Sequence, residues 1–302
     1  MKALTRPRFR TKYAAMSENA PTALLFPGQG SQTAEMRDTV AHTRPDLLQR
    51  AIELIGADPF ERVDEGTAFA QPALYCAGLA HWTAAGRPDA SFMAGHSLGE
   101  LPALAAAGAF DEADGLTLAV TRGRAMQDAG ESGSPGGMLA VLGVGDSADE
   151  VVVRLGLTVA NDNAPGQVVL SGSLEALETA REELKAEGLK AMSLPVSGAF
   201  HSPAMAPAAP AFEAALAEVE MAAPRATVIS SITTKPFGDV RADLAAALVN
   251  PVRWRETLIA LREAGAQRFV ETGPGNVLTK LVRRTLAGVE ASVLPEPETA
   301  RA

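Results

Sequence analysis

The feature that most constrains the fold is the segment AGHSLGE at residues 94–100, which contains the pattern G-x-S-x-G. Residues 90–93 before it predict a short buried strand, and residues 98–107 after it, rich in Leu and Ala, predict a helix. A serine on such a tight strand-to-helix turn is typical of a nucleophile elbow, where flanking glycines leave room for the sharp bend. We therefore interpret Ser97 as a candidate nucleophile. The alternative is an ordinary turn in which Ser97 caps the helix.

The size and charge of the chain limit the classes of protein that it can belong to. Its 302 residues, 47% of them hydrophobic, suit one large domain or a domain with a smaller one inserted. No apolar run reaches the length of a membrane span. The net charge is −9, and it becomes −14 without the five cations of residues 1–15, which include no acid. An acidic body predicts no nucleic-acid partner. We interpret residues 1–21 as a disordered basic extension.

Cysteine and histidine usage predicts neither disulfides nor metal. The single cysteine, Cys76, lies in an apolar helical stretch and is expected to be a buried structural thiol. One cysteine excludes an internal disulfide and fits a reducing compartment, so we expect a cytoplasmic protein. No two histidines stand at metal-ligand spacing on one helix, and we predict no metal site. The four histidines are His42, His81, His96 and His201.

The pattern of predicted elements indicates an α/β protein with an insertion. Strands alternate with helices on both sides of the elbow, and we expect an α/β-hydrolase-like large domain with a parallel sheet, formed by residues 22–133 and 199–294. After a linker rich in Gly, Ser and Pro, the order β-α-β-β-α-β predicts a ferredoxin-like small domain over residues 134–198. Residues 295–302 are interpreted as a loose tail.

One arginine stands where an apolar side chain is expected. Leu118, Arg122 and Met126 fall at i, i+4 and i+8 of a predicted helix, so Arg122 lies on its apolar face. A buried guanidinium needs an anionic partner or several acceptors. A bound anion, a structural ion pair and a side chain that reaches solvent past apolar neighbours all remain open from the sequence.

A serine nucleophile needs a base, and His201 is the leading candidate. It lies among small residues in a predicted loop after a strand, whereas His96 is adjacent to Ser97 and should point away from it. No Asp or Glu can be chosen as a third member. None is required, because a backbone carbonyl can orient the imidazole through Nδ1–H.

Seven segments together carry a family resemblance. They are residues 26–32 (FPGQGSQ), 95–100 (GHSLGE), 122–127 (RGRAMQ), 161–169 (NDNAPGQVV), 198–202 (GAFHS), 250–254 (NPVRW) and 271–275 (ETGPG). In this order and at this spacing the chain closely resembles the malonyl-CoA:acyl-carrier-protein transacylases over residues 22–290. The resemblance implies an acyltransferase without a bound cofactor. It would transfer malonyl from malonyl-CoA to the phosphopantetheine thiol of an acyl carrier protein, for fatty acid or polyketide synthesis.

The resemblance also implies roles for individual residues. Ser97 would carry the malonyl group and His201 would act as its base, while backbone N–H groups of Gln29 and Leu98 would form the oxyanion hole. Arg122 would bind the malonyl carboxylate, and Phe200 would disfavour an α-methyl group. A backbone carbonyl near the N-P-V-x-W segment orients the histidine in the family. That position is Arg253 here.

Several alternatives stay open at this point. A serine thioesterase or esterase shares the same elbow, and a malonyl transferase can also serve a malonate decarboxylase carrier or a polyketide carrier. A non-catalytic carrier-binding module is a further alternative. Carrier proteins are generally acidic, so we expect a local basic patch for docking, with ordinary solvated arginines as the alternative interpretation. The candidates are Arg253, Arg255, Lys280, Arg283 and Arg284.

Overall fold

The computed structural model describes residues 20–143 and 147–295. The predicted extension and tail lie outside these ranges, apart from residues 20, 21 and 295. The described strands are β1 (Thr22–Phe26), β2 (Phe92–Gly95), β3 (Gly136–Leu142), β4 (Thr158–Ala164), β5 (Gln167–Ser173), β6 (Lys190–Ser193), β7 (Thr227–Ile229), β8 (Arg268–Glu271) and β9 (Glu290–Val293). The described α-helices are α1 (Met36–Thr43), α2 (Pro45–Ile55), α3 (Thr67–Ala84), α4 (Glu100–Ala106), α5 (Glu112–Ser132), α6 (Ser147–Arg154), α7 (Leu174–Ala186), α8 (Ala209–Glu218), α9 (Val240–Ala246), α10 (Trp254–Glu263) and α11 (Val277–Thr285).

The larger sheet is parallel, with the order β7-β2-β1-β8-β9. Its central strand β1 is buried along its whole length, as expected of a parallel strand covered by helices on both faces. Leu24 and Phe26 pack into one apolar core with α3, α4 and α5. Leu25 packs into a second core with α10 and α11 on the opposite face.

The smaller sheet is antiparallel, with the order β4-β5-β3-β6, and its elements follow the chain as β-α-β-β-α-β. Leu139 and Leu170 of this sheet pack against Leu177 and Leu184 of α7 to form a separate apolar core. This element order agrees with the prediction for residues 138–196, because alternating apolar residues and helical periodicity are strong local signals there.

Prolines account for two of the differences from the predicted elements. The Ala-rich sequence of residues 205–219 predicts one helix. The structure has a 3₁₀ turn at Pro203–Ala208 followed by α8 instead, since Pro207 has no N–H to donate to an α-helical bond. The sequence predicts a strand over residues 190–196, but β6 ends at Ser193, two residues before Pro195. Strand β9 was not predicted, because it is short and only half-buried.

The two sheets are joined through the β4 edge. The N–H of Val252 donates to the carbonyl of Ala160 at 2.8 Å, and the N–H of Asp162 donates to the carbonyl of Val252 at 2.9 Å. The segment that leads into α10 thus pairs with the edge of the small sheet. Asn161, which takes part in this pairing, lines a cavity at the carboxyl ends of β1 and β2, the end of a parallel sheet at which ligands usually bind.

Candidate active site

The G-x-S-x-G turn brings three backbone segments into close contact. A Cβ atom on Gly95 would lie 1.8 Å from the carbonyl carbon of Gly99, and one on Gly99 would lie 2.1 Å from the carbonyl oxygen of Phe26. Both positions therefore exclude any side chain. Ser97 adopts a left-handed backbone with φ of 54°, which is unusual for a residue with a side chain. The local geometry agrees with a nucleophile elbow.

Ser97 and His201 lie within hydrogen-bonding distance, although they are 104 positions apart in the chain. The Oγ atom of Ser97 is 2.7 Å from Nε2 of His201. The Nδ1 atom of His201 lies 2.9 Å from the carbonyl oxygen of Ala247 and 3.2 Å from that of Asn250. Because carbonyl oxygens only accept, Nδ1 carries the ring proton, and Nε2 is left to accept from the serine hydroxyl.

Burial keeps His201 in its neutral form. The imidazole is buried, and this loss of solvation is the largest cause that lowers its pKa to about 3. The positive charge of Arg122 and the neighbouring His96 lower the pKa further, while the two backbone carbonyls raise it. A neutral imidazole with a free Nε2 lone pair is the form that accepts a proton from a serine hydroxyl.

Arg122 presents a buried guanidinium beside Ser97. It donates to the side-chain oxygen of Gln71 at 2.8 Å and to Oγ of Ser97 at 3.3 Å. No ion pair within 4.0 Å involves Arg122 in the described parts of the chain. Burial lowers its pKa to about 10, against the attraction of Glu100, so it stays charged at neutral pH. An unpaired buried cation next to a nucleophile is a strong candidate anion site.

Gln71 is a site residue that the sequence did not single out. It is 2% exposed, and its amide nitrogen donates to the hydroxyl of Thr67 at 2.8 Å. That hydroxyl donates in turn to the side-chain oxygen of Gln29 at 3.1 Å. Side-chain hydrogen bonds therefore connect the loop after β1 to Arg122. The available signal was one amide in an otherwise apolar helical stretch.

One cavity of about 150 Å³ brings together nearly all the residues that the sequence and the resemblance selected. Those on its wall are Ser97, His201, Gln29, Leu98, Arg122 and Phe200. The wall also includes Met138, Asn161 and residues 194–196 from the smaller sheet and its exit, so both sheets contribute. A cavity with few polar groups converging on one hydroxyl is typical of a small-substrate site.

The prediction for Arg253 is wrong. Arg253 immediately precedes α10, so its carbonyl oxygen takes part in the first turn of that helix. It accepts from both the N–H and the hydroxyl of Thr257, each at 2.9 Å. Its side chain pairs with Glu256. The carbonyls that face His201 belong instead to Ala247 and Asn250, earlier in the same segment. The segment was chosen correctly, but the start of α10 occupies the carbonyl of Arg253.

The adjacent histidine, His96, turns away from the hydroxyl of Ser97, as expected. Its Nε2 atom is 2.8 Å from the side-chain oxygen of Asn163, and its ring meets Trp254 edge-on, with ring centres 5.3 Å apart. Asn163 lies on β4, so this hydrogen bond connects the elbow to the smaller sheet.

Cys76 is buried, as expected of a structural thiol. Burial raises the pKa of its thiol, which therefore stays protonated and is a poor nucleophile.

Comparison with known proteins decides the family. The model of the acyl transferase domain matches residues 23–298. The chain belongs to the acyl transferase domain family. It is 37% identical over 297 residues to the malonyl CoA-acyl carrier protein transacylase of Escherichia coli K12, covering 91% of this chain and 96% of that relative. It is also 40% identical over 282 residues to the polyketide biosynthesis protein ThaF of Burkholderia thailandensis. That alignment covers 87% of this chain but only 24% of ThaF, which is much longer.

The fold agrees with solved members of the same family. The acyl-carrier-protein S-malonyltransferase of Bartonella henselae superposes with a TM-score of 0.84 at 32% identity, over 93% of this chain and 96% of that chain. A parallel sheet beside a separate antiparallel sheet is thus the architecture of this acyl transferase. In residues 20–143 and 147–295, no three His, Cys, Asp or Glu side chains cluster as a metal site. Nor does any helix within those ranges have the length and apolarity to cross a bilayer.

Four of the five cations proposed for carrier docking make internal contacts in this acyl transferase. Arg255 pairs with Asp162 at 2.7 Å and Arg253 with Glu256. Arg284 donates to the carbonyl of Pro165 at 2.9 Å, in the turn between β4 and β5, and Arg283 donates to the carbonyl of Ala291. Arg255, Arg283 and Arg284 are nevertheless exposed, so both docking and the alternative interpretation of solvated arginines stay open. Two of them, Arg255 and Arg284, contact β4 or the turn that follows it in the smaller sheet.

Proposed function

We propose that this acyl transferase moves the malonyl group from malonyl-CoA to the phosphopantetheine thiol of an acyl carrier protein through a malonyl ester on Ser97. The observation that carries the proposal is the buried guanidinium of Arg122, which donates to the Ser97 hydroxyl at 3.3 Å and forms no ion pair among the described residues. A malonyl carboxylate lies two bonds from the acyl carbon under attack. One cavity can therefore hold the carboxylate on Arg122 and the carbonyl at Ser97 simultaneously.

The first half-reaction forms the ester. His201 accepts the Ser97 proton at Nε2 while Oγ attacks the thioester carbon. We assign the backbone N–H groups of Gln29 and Leu98 as donors to the developing oxyanion, each contributing about 3 kcal/mol. The intermediate collapses by breaking the C–S bond, and the departing CoA sulfur takes the proton from His201.

The second half-reaction reverses these roles. The carrier thiol gives its proton to Nε2 of His201 and attacks the ester carbon. The C–O bond then breaks, and Ser97 recovers its proton from the imidazole. Arg122 holds the carboxylate through both steps, by two parallel hydrogen bonds. Phe200, buried on the cavity wall beside His201, restricts the space at the α-carbon.

Two finer descriptions belong to the same proposal. We describe residues 22–133 and 199–294 as an α/β-hydrolase-like large domain, supported by the elbow at the end of β2. We describe residues 134–198 as a ferredoxin-like small domain, supported by its β-α-β-β-α-β order. We also propose that the protein needs no cofactor and acts in the cytoplasm. The single cysteine supports that location.

Intact-protein mass spectrometry tests the function. The wild type and Ser97→Ala are each mixed with malonyl-CoA, and holo carrier protein is added afterwards. We expect a malonyl adduct on the wild type only, and its transfer to the carrier. If the adduct is hydrolysed to free malonate whether or not carrier protein is present, the protein is a hydrolase. The absence of any adduct would reject the enzyme assignment.

A further inference from the structure

Glu100 is a buried carboxylate that the transfer steps do not use. It is the first residue of α4, three positions after Ser97, and only 1% of its surface is exposed. Burial is the largest cause that raises its pKa to about 7. It makes no ion pair within 4.0 Å among the described residues. A buried carboxylate is costly, so its retention next to the elbow needs a reason.

The contacts of Glu100 lead to the segment that orients His201. Its Oε1 atom accepts from the N–H of Ser231 at 2.7 Å and from the hydroxyl of Ser231 at 3.0 Å. The carbonyl of Ser231 accepts from the N–H of Arg253 at 2.7 Å. Arg253 closely follows residues 247–250, whose carbonyls face Nδ1 of His201. Glu100 thus connects the turn that carries the nucleophile to the segment that holds the base.

Two physical effects of Glu100 need to be separated. One is its hydrogen-bonding reach to Ser231, which acts through position. The other is its negative charge, which attracts the buried Arg122 and so affects the anion site. No hydrogen bond joins Glu100 to Arg122 in the described chain, whereas two short bonds join it to Ser231. Geometry therefore favours the first effect.

We propose that Glu100 is a positioning residue that, by holding Ser231, maintains the alignment of Ser97 with His201. This inference rests on the proposed function of the two residues as nucleophile and base. An error of about 1 Å in such an alignment costs on the order of 100-fold in rate. Loss of the contact should consequently slow the chemical step more than it weakens binding of malonyl-CoA.

A matched pair of substitutions separates reach from charge. Glu100→Asp keeps the charge but is one methylene shorter, and Glu100→Gln keeps the acceptor at full reach but is neutral. Rapid-quench mass spectrometry gives the rate constant of Ser97 malonylation at saturation, the half-saturating malonyl-CoA concentration and the burst amplitude. We expect Glu100→Asp to lower the rate constant by about 10- to 100-fold with the half-saturating concentration unchanged. Glu100→Gln should retain most of the wild-type rate.

Glu271 provides the control. It is another buried carboxylate, and its oxygens accept from the N–H groups of Leu278 and Thr279 at the start of α11. No hydrogen bond in the described chain joins Glu271 to Ser97, His201 or Ser231. Glu271→Asp should lower the melting temperature without lowering the rate constant per active site. The burst amplitude counts folded sites, so a loss of folded protein alters the amplitude and a loss of alignment alters the rate constant.

The outcomes distinguish this inference from the proposed function. If Glu100→Asp reacts at the wild-type rate, or if Glu100→Gln is the slower of the two, positioning by Glu100 is rejected while malonyl transfer stands. If the wild type itself forms no malonyl ester on Ser97, the proposed function fails, and the inference fails with it.

Discussion

Ser97 and His201, whose Oγ and Nε2 atoms are 2.7 Å apart, both adopt left-handed backbone conformations, with φ of 54° and 56°. A residue with a side chain is about 1–2 kcal/mol less stable in the left-handed backbone region than in its usual conformations. The surrounding contacts therefore hold both members of the pair in backbone states that they would not adopt alone. The placement of the hydroxyl and of the imidazole is maintained at the expense of stability.

The strain at Ser97 predicts the order of stability of two inactive variants. Glycine adopts positive φ without the steric cost, so Ser97→Gly should exceed Ser97→Ala in unfolding free energy by about 1 kcal/mol. Urea denaturation measures the difference. Thr117, in the middle of α5, is the control, because glycine there should be less stable than alanine by about 1 kcal/mol. The same order at both sites would contradict strain at Ser97.

Substitution of Arg122 tests the anion site. Removing the guanidinium leaves the malonyl carboxylate unpaired in a buried cavity, so Arg122→Ala should lower malonylation of Ser97 by about 100-fold or more. Acylation by acetyl-CoA, which has no carboxylate, should change little. The exposed Arg124 of the same helix, which contacts the carbonyl of Leu54, supplies the control Arg124→Ala. Equal losses with both substrates would show that Arg122 supports the site without recognising the carboxylate.

Phe200 tests selectivity for the extender unit. Its buried ring lines the cavity, and a smaller side chain should create space for an α-methyl group. One methyl group is worth about 1–3 kcal/mol, so Phe200→Ser should lower the malonyl-to-methylmalonyl ratio of kcat/KM by about 10-fold or more. Competition of the two CoA esters, followed by mass spectrometry, measures this ratio. An unchanged ratio would remove Phe200 from the selectivity assignment.

Buried histidines predict how stability depends on pH. Burial lowers the pKa of His81 to about 4 from an ordinary value of 6.5, so between these values the unfolded chain binds a proton that the folded chain does not. The contribution of His81 to folding stability therefore rises with pH across this window, by about 1.4 kcal/mol per pH unit at most. Chemical denaturation at pH 4.5 and pH 6 should show a smaller rise for His81→Asn than for the wild type. If the unfolding free energies of the two proteins rise equally between these pH values, His81 is not buried in its neutral form.

The docking hypothesis predicts a change confined to the second half-reaction. Lys280 and Arg283 lie on the exposed face of α11, and the contact of Arg283 is with the carbonyl of Ala291 in the neighbouring strand β9. Arg284 is left unchanged, because reversing its charge would break its contact with the turn at Pro165 in the smaller sheet. The double variant Lys280→Glu with Arg283→Glu should raise the carrier-protein KM by about 10-fold and leave malonylation of Ser97 intact. Lys185→Glu, on the exposed face of α7, is the control. Equal losses in both half-reactions would exclude docking at this surface.

The sequence alone determined the features that depend on local chemistry. The elbow around Ser97 was predicted because glycine, serine and glycine at that spacing suit a strained strand-to-helix turn. The position of Arg122 on the apolar face of its helix followed from helical periodicity. The element order of residues 138–196 followed from alternation and helical repeats in the same way. Short-range backbone and solvation preferences account for all three.

Tertiary structure alone decided which distant groups meet. The carbonyls of Ala247 and Asn250, rather than that of Arg253, face His201, because the start of α10 engages the Arg253 carbonyl within the helix. The contact of Gln71 with Arg122 likewise depends on the packing of two helices. Every residue carries a backbone carbonyl and many carry an amide. Their identity in the sequence therefore holds no information about their partners, and only the folded arrangement selects them.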